Sequence, residues 1–343
     1  MEKKWFVGID VSKKTIDVVY YERQRRKICE EIHRQFSNDQ SGFKLMRKWF
    51  KECGMKSAEL VIGLENTGIY SLDLCLSLES AGIDYCCFNP LHLKRSFGLT
   101  RGKNDKVDAW RIAYYCYLHR EELAYCKMSA GTIMRLRELS SERRRHVKHM
   151  AEYKAYLTDR KARVGDNTLK RTAKVLEYEQ VLVEEIEKEM ENIIKNEPDL
   201  KRNYDLLLSV KGVGTVNAIA MIIHTNNFES FENARKYACY VGVAPFGSTS
   251  GTSIKGKPHV CSIGARILKS DLSMAARSAR IHDPQMKEYF ERKTAQGKEF
   301  GVVMNAIKYK LIQRMFAVVK RGTPFVQLQT YKSNTTINQY HNY

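Results

Sequence analysis

Short apolar runs alternate with amphipathic segments through the first 120 or so residues of the chain. The runs have the length of β-strands, and the apolar positions between them recur at helical spacing. This pattern predicts the element order β-β-β-α-β-α-β-α. The predicted strands are Trp5–Val11, Thr15–Tyr21, Cys29–Phe36, Glu59–Glu65 and Ile83–Phe88, and the predicted helices are Gly42–Cys53, Tyr70–Ala81 and Asp105–His119.

The pattern changes between Ser129 and Glu197, where no strand signal, no proline and only two glycines occur. It predicts two long helices with a break at residues 165–167. The stretch Lys127–Lys174 carries 14 Lys and Arg against 5 Asp and Glu, whereas Glu177–Asp199 carries 9 acids against 2 lysines. Long helices of opposite charge are typical of an antiparallel hairpin or of a dimerising coiled coil.

The remainder of the chain, Tyr204–Thr323, is mostly helical by its apolar spacing. The glycines, serines and threonines of Gly242–Gly256 predict a loop that interrupts these helices, and the polar residues that follow Thr323 predict a poorly ordered tail. The predicted domains are residues 1–125, 126–203 and 204–325, with residues 326–343 as the tail.

Composition adds a strong positive charge to this picture. The chain has 58 Lys and Arg against 39 Asp and Glu, a formal net charge of +19. Nucleic acid is the common partner of such a protein, because Lys and Arg contacts to phosphates release counterions. The alternative to a nucleic-acid partner is a protein whose surface is merely basic. The hydrophobic fraction of 43% excludes a disordered chain.

Neither a membrane nor an oxidising compartment is indicated. No apolar run approaches the roughly 20 residues that cross a bilayer, and the first residues lack the apolar core of a signal peptide. The 9 cysteines are odd in number and contain no Cys-x-x-Cys pair, which argues against a disulfide framework and excludes a zinc ribbon. We expect a cytoplasmic, nucleoid-associated protein with no membrane partner.

Acidic residues occupy strand positions where apolar ones are expected. Asp10 lies inside one predicted strand and Glu65 ends another, and a buried carboxylate must be paired or bound to metal. Asp105 and Asp108 are three residues apart and share one face at the start of a predicted helix. This combination is typical of the ribonuclease-H-like nucleases. Four neighbouring carboxylates need cations, so we expect them to bind Mg²⁺ or Mn²⁺ and to be catalytic.

The segment Leu207–Ala218 predicts a helix-hairpin-helix, in which a Gly-Val-Gly turn joins two helices. Turn amides and a helix N-terminus can hold a phosphate, so Lys211, Gly212 and Gly214 are candidate nucleic-acid contacts. The absence of Gly-Lys-Ser/Thr excludes a nucleotide-binding P-loop. An ordinary helix turn is the alternative.

Ser250 lies in the predicted Gly/Ser/Thr-rich loop and is followed by Lys255 and Lys257. A serine on a flexible basic loop can attack phosphorus once a base or a metal ion takes its proton. Taken alone, the pattern is equally that of a solvated polar loop. Lys255 and Lys257 are further candidate nucleic-acid contacts.

Together these segments resemble the insertion-sequence 110 family of transposases, relatives of the Piv DNA invertase. The four acids match the Asp-Glu-Asp-Asp set of that family, and Val241–Pro245 followed by Ser250-Gly251 resembles its Gly-Leu-x-Pro…Ser-Gly segment. The stretch from Ser262 to Ala276 is similar to its basic segment and makes Arg266 a candidate nucleic-acid contact. Residues 261–263 depart from the family, because they are not basic here.

The resemblance implies an α/β N-terminal domain of the RuvC-like RNase H fold, a long helical or coiled-coil middle and a mainly helical C-terminal transposase domain. It implies a site-specific recombinase that cleaves and rejoins donor and target double-stranded DNA. Mg²⁺ would bind the acids, and Ser250 would form a covalent phosphoserine link, with Ser248, Thr249 and Ser253 as fallback candidates. It also implies a guide RNA, a structured bridge RNA encoded by the mobile element.

Self-association is a further expectation, because two strands in each of two DNAs require four cleavages. The predicted unit is a homo-oligomer, a dimer or a tetramer. The apolar side chains of the second long helix offer a partner-facing stripe. These side chains are Val175, Tyr178, Val181, Leu182 and Ile186.

Three other functions fit parts of the sequence. A metal-dependent junction resolvase or RNase-H-like nuclease would need the acids but no covalent serine. An actin-like ATPase begins with a similar strand, but the chain has no second Asp-x-Gly phosphate loop. A non-catalytic nucleic-acid scaffold would not need acids on two buried strands.

Overall fold

A computed structural model of the chain describes residues 2–22, 31–65, 68–97, 104–127, 131–159, 165–250, 254–260 and 264–326. The chain forms two compact units, Met1–Met128 and Ser129–Tyr343. The predicted tail lies outside the described residues apart from residue 326. No helix in the described ranges is long and apolar enough to cross a membrane.

The first unit is built on a mixed five-stranded sheet. Its strands are β1 (Trp5–Val11), β2 (Thr15–Tyr20), β3 (His33–Ser37), β4 (Leu60–Glu65) and β5 (Asp84–Phe88). The strand order is β3-β2-β1-β4-β5, with β1 antiparallel to β2 and parallel to β4. The central strands β1 and β4 are almost wholly apolar, because helices cover both of their faces.

Four α-helices lie in the described part of the first unit. They are α1 (Gln40–Glu52), α2 (Leu72–Ser80), α3 (Pro90–Ser96) and α4 (Asp105–Leu118). The side chain of Asp39 caps α1 by accepting a hydrogen bond from the backbone N–H of Gly42, 2.8 Å away. The apolar residues at helical spacing in α1 pack on the sheet face that also buries Val7 and Ile9.

The elements described in the second unit are helices and one β-hairpin. Its elements are α5 (Gly131–Asp159), α6 (Asp166–Asn196), α7 (Pro198–Leu208), α8 (Thr215–Thr225), α9 (Ala234–Val241), β6 (Pro245–Ser250), β7 (Ile254–Val260), α10 (Arg266–His282), α11 (Pro284–Ala295) and α12 (Phe300–Arg321). The predicted break at residues 165–167 falls at the start of α6, and residues 160–164 between the two helices lie outside the described ranges.

The long helices α5 and α6 pair within one chain as an antiparallel hairpin, one of the two arrangements that the charge pattern predicts. Ion pairs join Arg135 to Glu189 at 2.8 Å and Arg143 to Glu187 at 2.6 Å. The later residue of α5 therefore pairs with the earlier residue of α6, as it does when two helices run antiparallel. Such exposed pairs contribute about 0–1 kcal/mol each. The hairpin is stabilised chiefly by its buried apolar side chains. These are Ile133, Leu136, Leu139, Val183, Ile186, Met190 and Ile194.

The structure departs from the sequence predictions at several elements. The apolar part of the long helices shares one core with α7–α12, so residues 126–203 do not pack as a separate segment. The predicted strand at Cys29–Phe36 begins only at His33 and runs to Ser37, and residues 23–30 lie outside the described ranges. Helix α3 lacks a clear apolar period and was not predicted.

The predicted loop at Gly242–Gly256 is wrong for most of its length. Val241 ends α9, and Gly242 follows it in the left-handed region at φ 76°. Residues 245–250 and 254–260 then pair as antiparallel strands. Backbone pairing between two neighbouring segments therefore overrules a local composition that is typical of loops.

Candidate functional site

Asp10 and Glu65 lie side by side on the central strands. In the parallel pairing of β1 and β4, Gly8 is opposite Gly63 and Ile9 is opposite Leu64. Ile9 and Leu64 are fully buried in the core that α1 and α2 form with the sheet. Because strand side chains alternate between faces, the next residue of each strand, Asp10 and Glu65, lies on the opposite face.

Helix α4 covers that opposite face, and two glycines allow it to approach closely. A Cβ atom on Gly8 would lie less than 3.0 Å from backbone atoms of Ala109 and Ala113. A Cβ atom on Gly63 would lie equally close to the Cys116 sulfur. No side chain larger than hydrogen fits at these two positions while α4 keeps its place.

The contacts along α4 also give its direction. Phe6, near the start of β1, packs against Tyr117 near the end of α4, with ring centroids 5.6 Å apart. Gly8, further along β1, contacts Ala109 and Ala113 in the first half of α4. Helix α4 therefore runs antiparallel to β1, and its first turn lies toward the end of β1 that carries Asp10.

Both aspartates of α4 continue its sheet-facing stripe. Asp105 precedes Ala109 by four residues, and Asp108 precedes Ile112 by four, so each lies one helical turn before a residue that contacts the sheet. Acids from β1, β4 and α4 are thus directed to one end of one face of the sheet. Asp105 is exposed there and Asp108 is partly buried.

The electrostatics of the α4 N-terminus explain only two of these acids. Asn104 caps the helix by accepting from the Lys106 N–H, and Asp108 Oδ1 accepts from Arg111 at 2.7 Å. Acids in a first turn are stabilised by the helix dipole by about 0.3–1 kcal/mol. That contribution does not apply to acids placed on strands. A donor set made only of carboxylate oxygens fits a hard cation such as Mg²⁺.

A fifth acid, Asp17, lies on the same face and was missed by the sequence analysis. It is directly opposite Asp10 in the antiparallel pairing of β1 and β2, and it is only 5% exposed. His33 Nε2 donates to it at 2.8 Å and Gln35 Nε2 at 3.0 Å. The sequence did contain a sign of this residue, because Asp17 interrupts an apolar strand as Asp10 does. Its two donors from β3 satisfy the carboxylate within the sheet.

Ser250 is the last residue of β6 in the second unit. Its backbone is paired with Ile254, and Thr249 is paired with Lys255. Lys257 follows in the middle of β7. Gly251 lies outside the described residues. The paired backbone places Ser250 at the tip of a β-hairpin, whereas the sequence predicted a loop.

The predicted helix-hairpin-helix falls on α7, α8 and the turn between them. Gly212 has φ 91°, and a Cβ atom there would lie less than 3.0 Å from α10, so this glycine is required for packing and backbone conformation. Gly214 precedes α8 as its N-cap and has open space around it. Lys211 is exposed beside them. A phosphate contact from this turn stays a prediction.

Arg266, the remaining predicted contact, is the exposed first residue of α10. The start of this helix is held against the end of α9. A Cβ atom on Gly264 would lie less than 3.0 Å from the Val241 carbonyl oxygen and from Gly242, and the Ala265 N–H donates to the Tyr240 carbonyl at 3.3 Å. The close approach of the two helices therefore explains why residue 264 is a glycine.

Two families match the chain over most of its length. Residues 7–159, which include the four acids, match a transposase family of the DEDD IS110 type. Residues 204–291, which include the turn after α7 and Ser250, match the transposase IS116/IS110/IS902 family.

Curated relatives agree with these matches. The chain is 24% identical over 330 residues to the pilin gene-inverting protein of Moraxella bovis, covering 94% of this chain and 98% of that protein. The corresponding protein of Moraxella lacunata matches with the same identity and coverage. An insertion element IS110 protein of 43.6 kDa from Streptomyces coelicolor, called uncharacterized, is 32% identical over 118 residues, covering 34% of this chain and 29% of that protein.

Proposed function

Because this chain belongs to the IS110 family of transposases and so acts as a DNA transposase or recombinase, we propose that it cleaves and rejoins DNA with four metal-binding acids and a serine nucleophile. The observation that carries the proposal is the placement of Asp10, Glu65, Asp105 and Asp108 at one end of one sheet face. Two central strands and one helix supply them, which supports a RuvC-like domain of the RNase H fold.

The four acids are the residues that would hold divalent metal ions, whose use a DEDD transposase family implies. Bound Mg²⁺ or Mn²⁺ would supply charge stabilisation to the oxygens of the reacting phosphodiester. The residues of the chain do the positioning. The close packing of Gly8 and Gly63 against α4 fixes the first turn of the helix relative to Asp10 and Glu65, and such precision is what a preorganised site requires.

Ser250 is the proposed nucleophile. Its Oγ forms a bond to phosphorus and gives up its proton to a base, while one P–O bond of the DNA backbone breaks and the leaving oxygen takes a proton. A strand hydroxyl then attacks the phosphoserine and restores both the serine and a continuous strand. The bond energy is kept in the protein–DNA ester, whereas hydrolysis by water would leave a broken strand.

Replacing Ser250 by Ala should abolish the covalent adduct with a suicide DNA substrate, and strand joining should fall on the order of 10³-fold or more. The adduct is measured on denaturing gels, and its position is mapped by mass spectrometry. DNA binding and circular dichroism should be unchanged, because only a hydroxyl is removed.

Ser248→Ala is the matched control, because this serine lies two residues earlier in the same strand β6. It should retain the adduct. If the adduct maps to Ser248, Thr249 or Ser253, that residue is the nucleophile and the assignment of Ser250 is wrong. Strand cleavage by Ser250→Ala at the normal rate, without any adduct, would instead show a junction resolvase or nuclease that uses water.

A guide RNA and a homo-oligomer complete the proposal. The net charge of +19 suits a protein that holds nucleic-acid backbone while base pairing reads the sequence. Exposed apolar side chains on α6 support self-association into a dimer or tetramer, with Val175 at 40%, Tyr178 at 63% and Val181 at 44% exposure. Ile186 is buried inside the hairpin and does not belong to this surface.

Nucleic-acid binding should depend strongly on salt. If about six phosphates are neutralised, affinity should fall on the order of 10³-fold between 50 and 200 mM salt. Arg145→Gln and Lys154→Gln should each lower the slope of log affinity against log salt by about one. Both side chains are exposed on α5, and neither forms an ion pair with another described residue.

Arg143→Gln is the matched control for the salt measurement, because Arg143 is already paired with Glu187. Fluorescence anisotropy with labelled DNA and RNA measures the slopes. An affinity that stays flat over this salt range would contradict phosphate contacts as the reason for the positive charge.

A further inference from the structure

Two histidines of α5 and one glutamate of α6 meet in the helical hairpin. His146 and His149 are three residues apart and share one face of α5, and Glu179 faces them from α6. Glu179 Oε2 lies 2.5 Å from His146 Nδ1, and Glu179 Oε1 lies 3.4 Å from His149 Nδ1. Each of the three side chains offers a ligand atom within 4.8 Å of the other two.

The chemistry of this cluster differs from that of the acids on the sheet. Two imidazole nitrogens and one carboxylate suit Zn²⁺ and related transition metals, whereas Mg²⁺ prefers oxygen ligands and waters. Tetrahedral Zn²⁺ with bonds of about 2.0–2.1 Å holds its ligand atoms about 3.3 Å apart. Three protein ligands would leave the fourth position to water.

Burial also fits a metal ligand set. The side chains of Glu179 and His146 are 12% and 19% exposed, whereas that of His149 is 48% exposed and gives an ion a path from solvent.

The cluster lies beyond the apolar core of the hairpin. Leu139 is the last buried apolar residue of α5, and Val183 is the first of α6. The distal arm, defined here as residues 140–159 and 166–182, contains no buried hydrophobic side chain among the described residues. The two helices therefore lack fully buried apolar packing in the arm, and an ion bound to both would clamp them there.

We propose that His146, His149 and Glu179 bind one divalent transition-metal ion of the Zn²⁺ class and that this ion clamps the distal arm. The competing interpretation is a cluster held by hydrogen bonds alone, with Glu179 accepting from both histidines. The two differ in metal affinity and in the mobility of the arm, and both quantities can be measured on the full chain without DNA.

The test uses the full-length protein stripped with a chelator and titrated in excess Mg²⁺, which keeps the all-oxygen acid site occupied. We expect one equivalent of Co²⁺ to give visible absorption bands that Zn²⁺ abolishes by displacement. Competition with a chromophoric chelator then gives the Zn²⁺ affinity. His146→Gln and Glu179→Gln should each weaken it by about 100-fold or more.

Two matched controls test the specificity of the site. Glu177→Gln removes an exposed acid two residues before Glu179 on α6, and His282→Gln removes an exposed histidine at the end of α10. Both should bind Zn²⁺ as the wild type does. Equal stoichiometry and affinity in the wild type and Glu179→Gln would overturn the site, given unchanged circular dichroism of that variant.

Hydrogen exchange tests the clamp. Zn²⁺ should slow exchange of the distal-arm amides in the wild type and leave Glu179→Gln unchanged. Binding without any slowing in the arm would overturn the clamping role.

Discussion

Replacing Asp10 by Asn is expected to reduce DNA strand cleavage on the order of 10³-fold while DNA binding persists. Asp10 lies beside Glu65 on the face that α4 covers, so it is one of the acids proposed to hold the metal. An amide keeps the size of the side chain but loses the charge. A loss of about 4 kcal/mol of transition-state stabilisation corresponds to this factor.

The measurement compares single-turnover cleavage with binding to the same DNA. Asp84→Asn is the matched control, because Asp84 begins β5 at the opposite end of the parallel strands and pairs with Lys3 on the surface. Breaking that exposed pair costs less than about 1 kcal/mol, and cleavage should be unchanged. Normal cleavage by Asp10→Asn would contradict the assignment of the acids.

Replacing Gly8 by Ala is expected to destabilise the first unit by about 3 kcal/mol, the upper end of the usual cost of overpacking. The new methyl group would lie less than 3.0 Å from backbone atoms of Ala109 and Ala113. Backbone cannot rotate away as a side chain can, so α4 must shift from the sheet. Cleavage should fall as well, because the same shift moves Asp105 and Asp108.

Tryptophan fluorescence during urea unfolding measures this effect selectively. The chain has three tryptophans, Trp5, Trp49 and Trp110, and all of them lie in the first unit. Gly301→Ala on α12 is the matched control, because a Cβ atom there has nothing within 4 Å. Its fluorescence transition should coincide with that of the wild type. An unchanged midpoint for Gly8→Ala would show that α4 does not pack as closely as described.

Local patterns in the sequence determined most of the first unit. The predicted strand Trp5–Val11 has the observed bounds, and the helix at Asp105 begins where it was predicted. Strand alternation and helical spacing are visible within a few residues of the chain, and so are acids placed in apolar runs. The family resemblance was also readable from short motifs, and the matches to the IS110 family confirm it.

Tertiary structure alone decided which of these residues meet. Asp10 and Glu65 are neighbours because β1 and β4 pair in parallel, and the first turn of α4 is placed at their end of the sheet by contacts to Gly8 and Gly63. None of these relations is local. The hydrogen bonds to Asp17 depend in the same way on the pairing of β2 with β3.

In the second unit, too, local patterns predicted elements and the tertiary structure decided how they pair. Opposite charges on two long helices fitted a hairpin or a dimer equally, and the structure pairs the two helices as a hairpin within one chain. Serines, threonines and glycines around Ser250 looked like a loop until cross-strand pairing made them a hairpin. The spacing of His146 and His149 was visible in the sequence, but Glu179 lies 33 residues beyond His146, and only the folded hairpin brings its carboxylate to them.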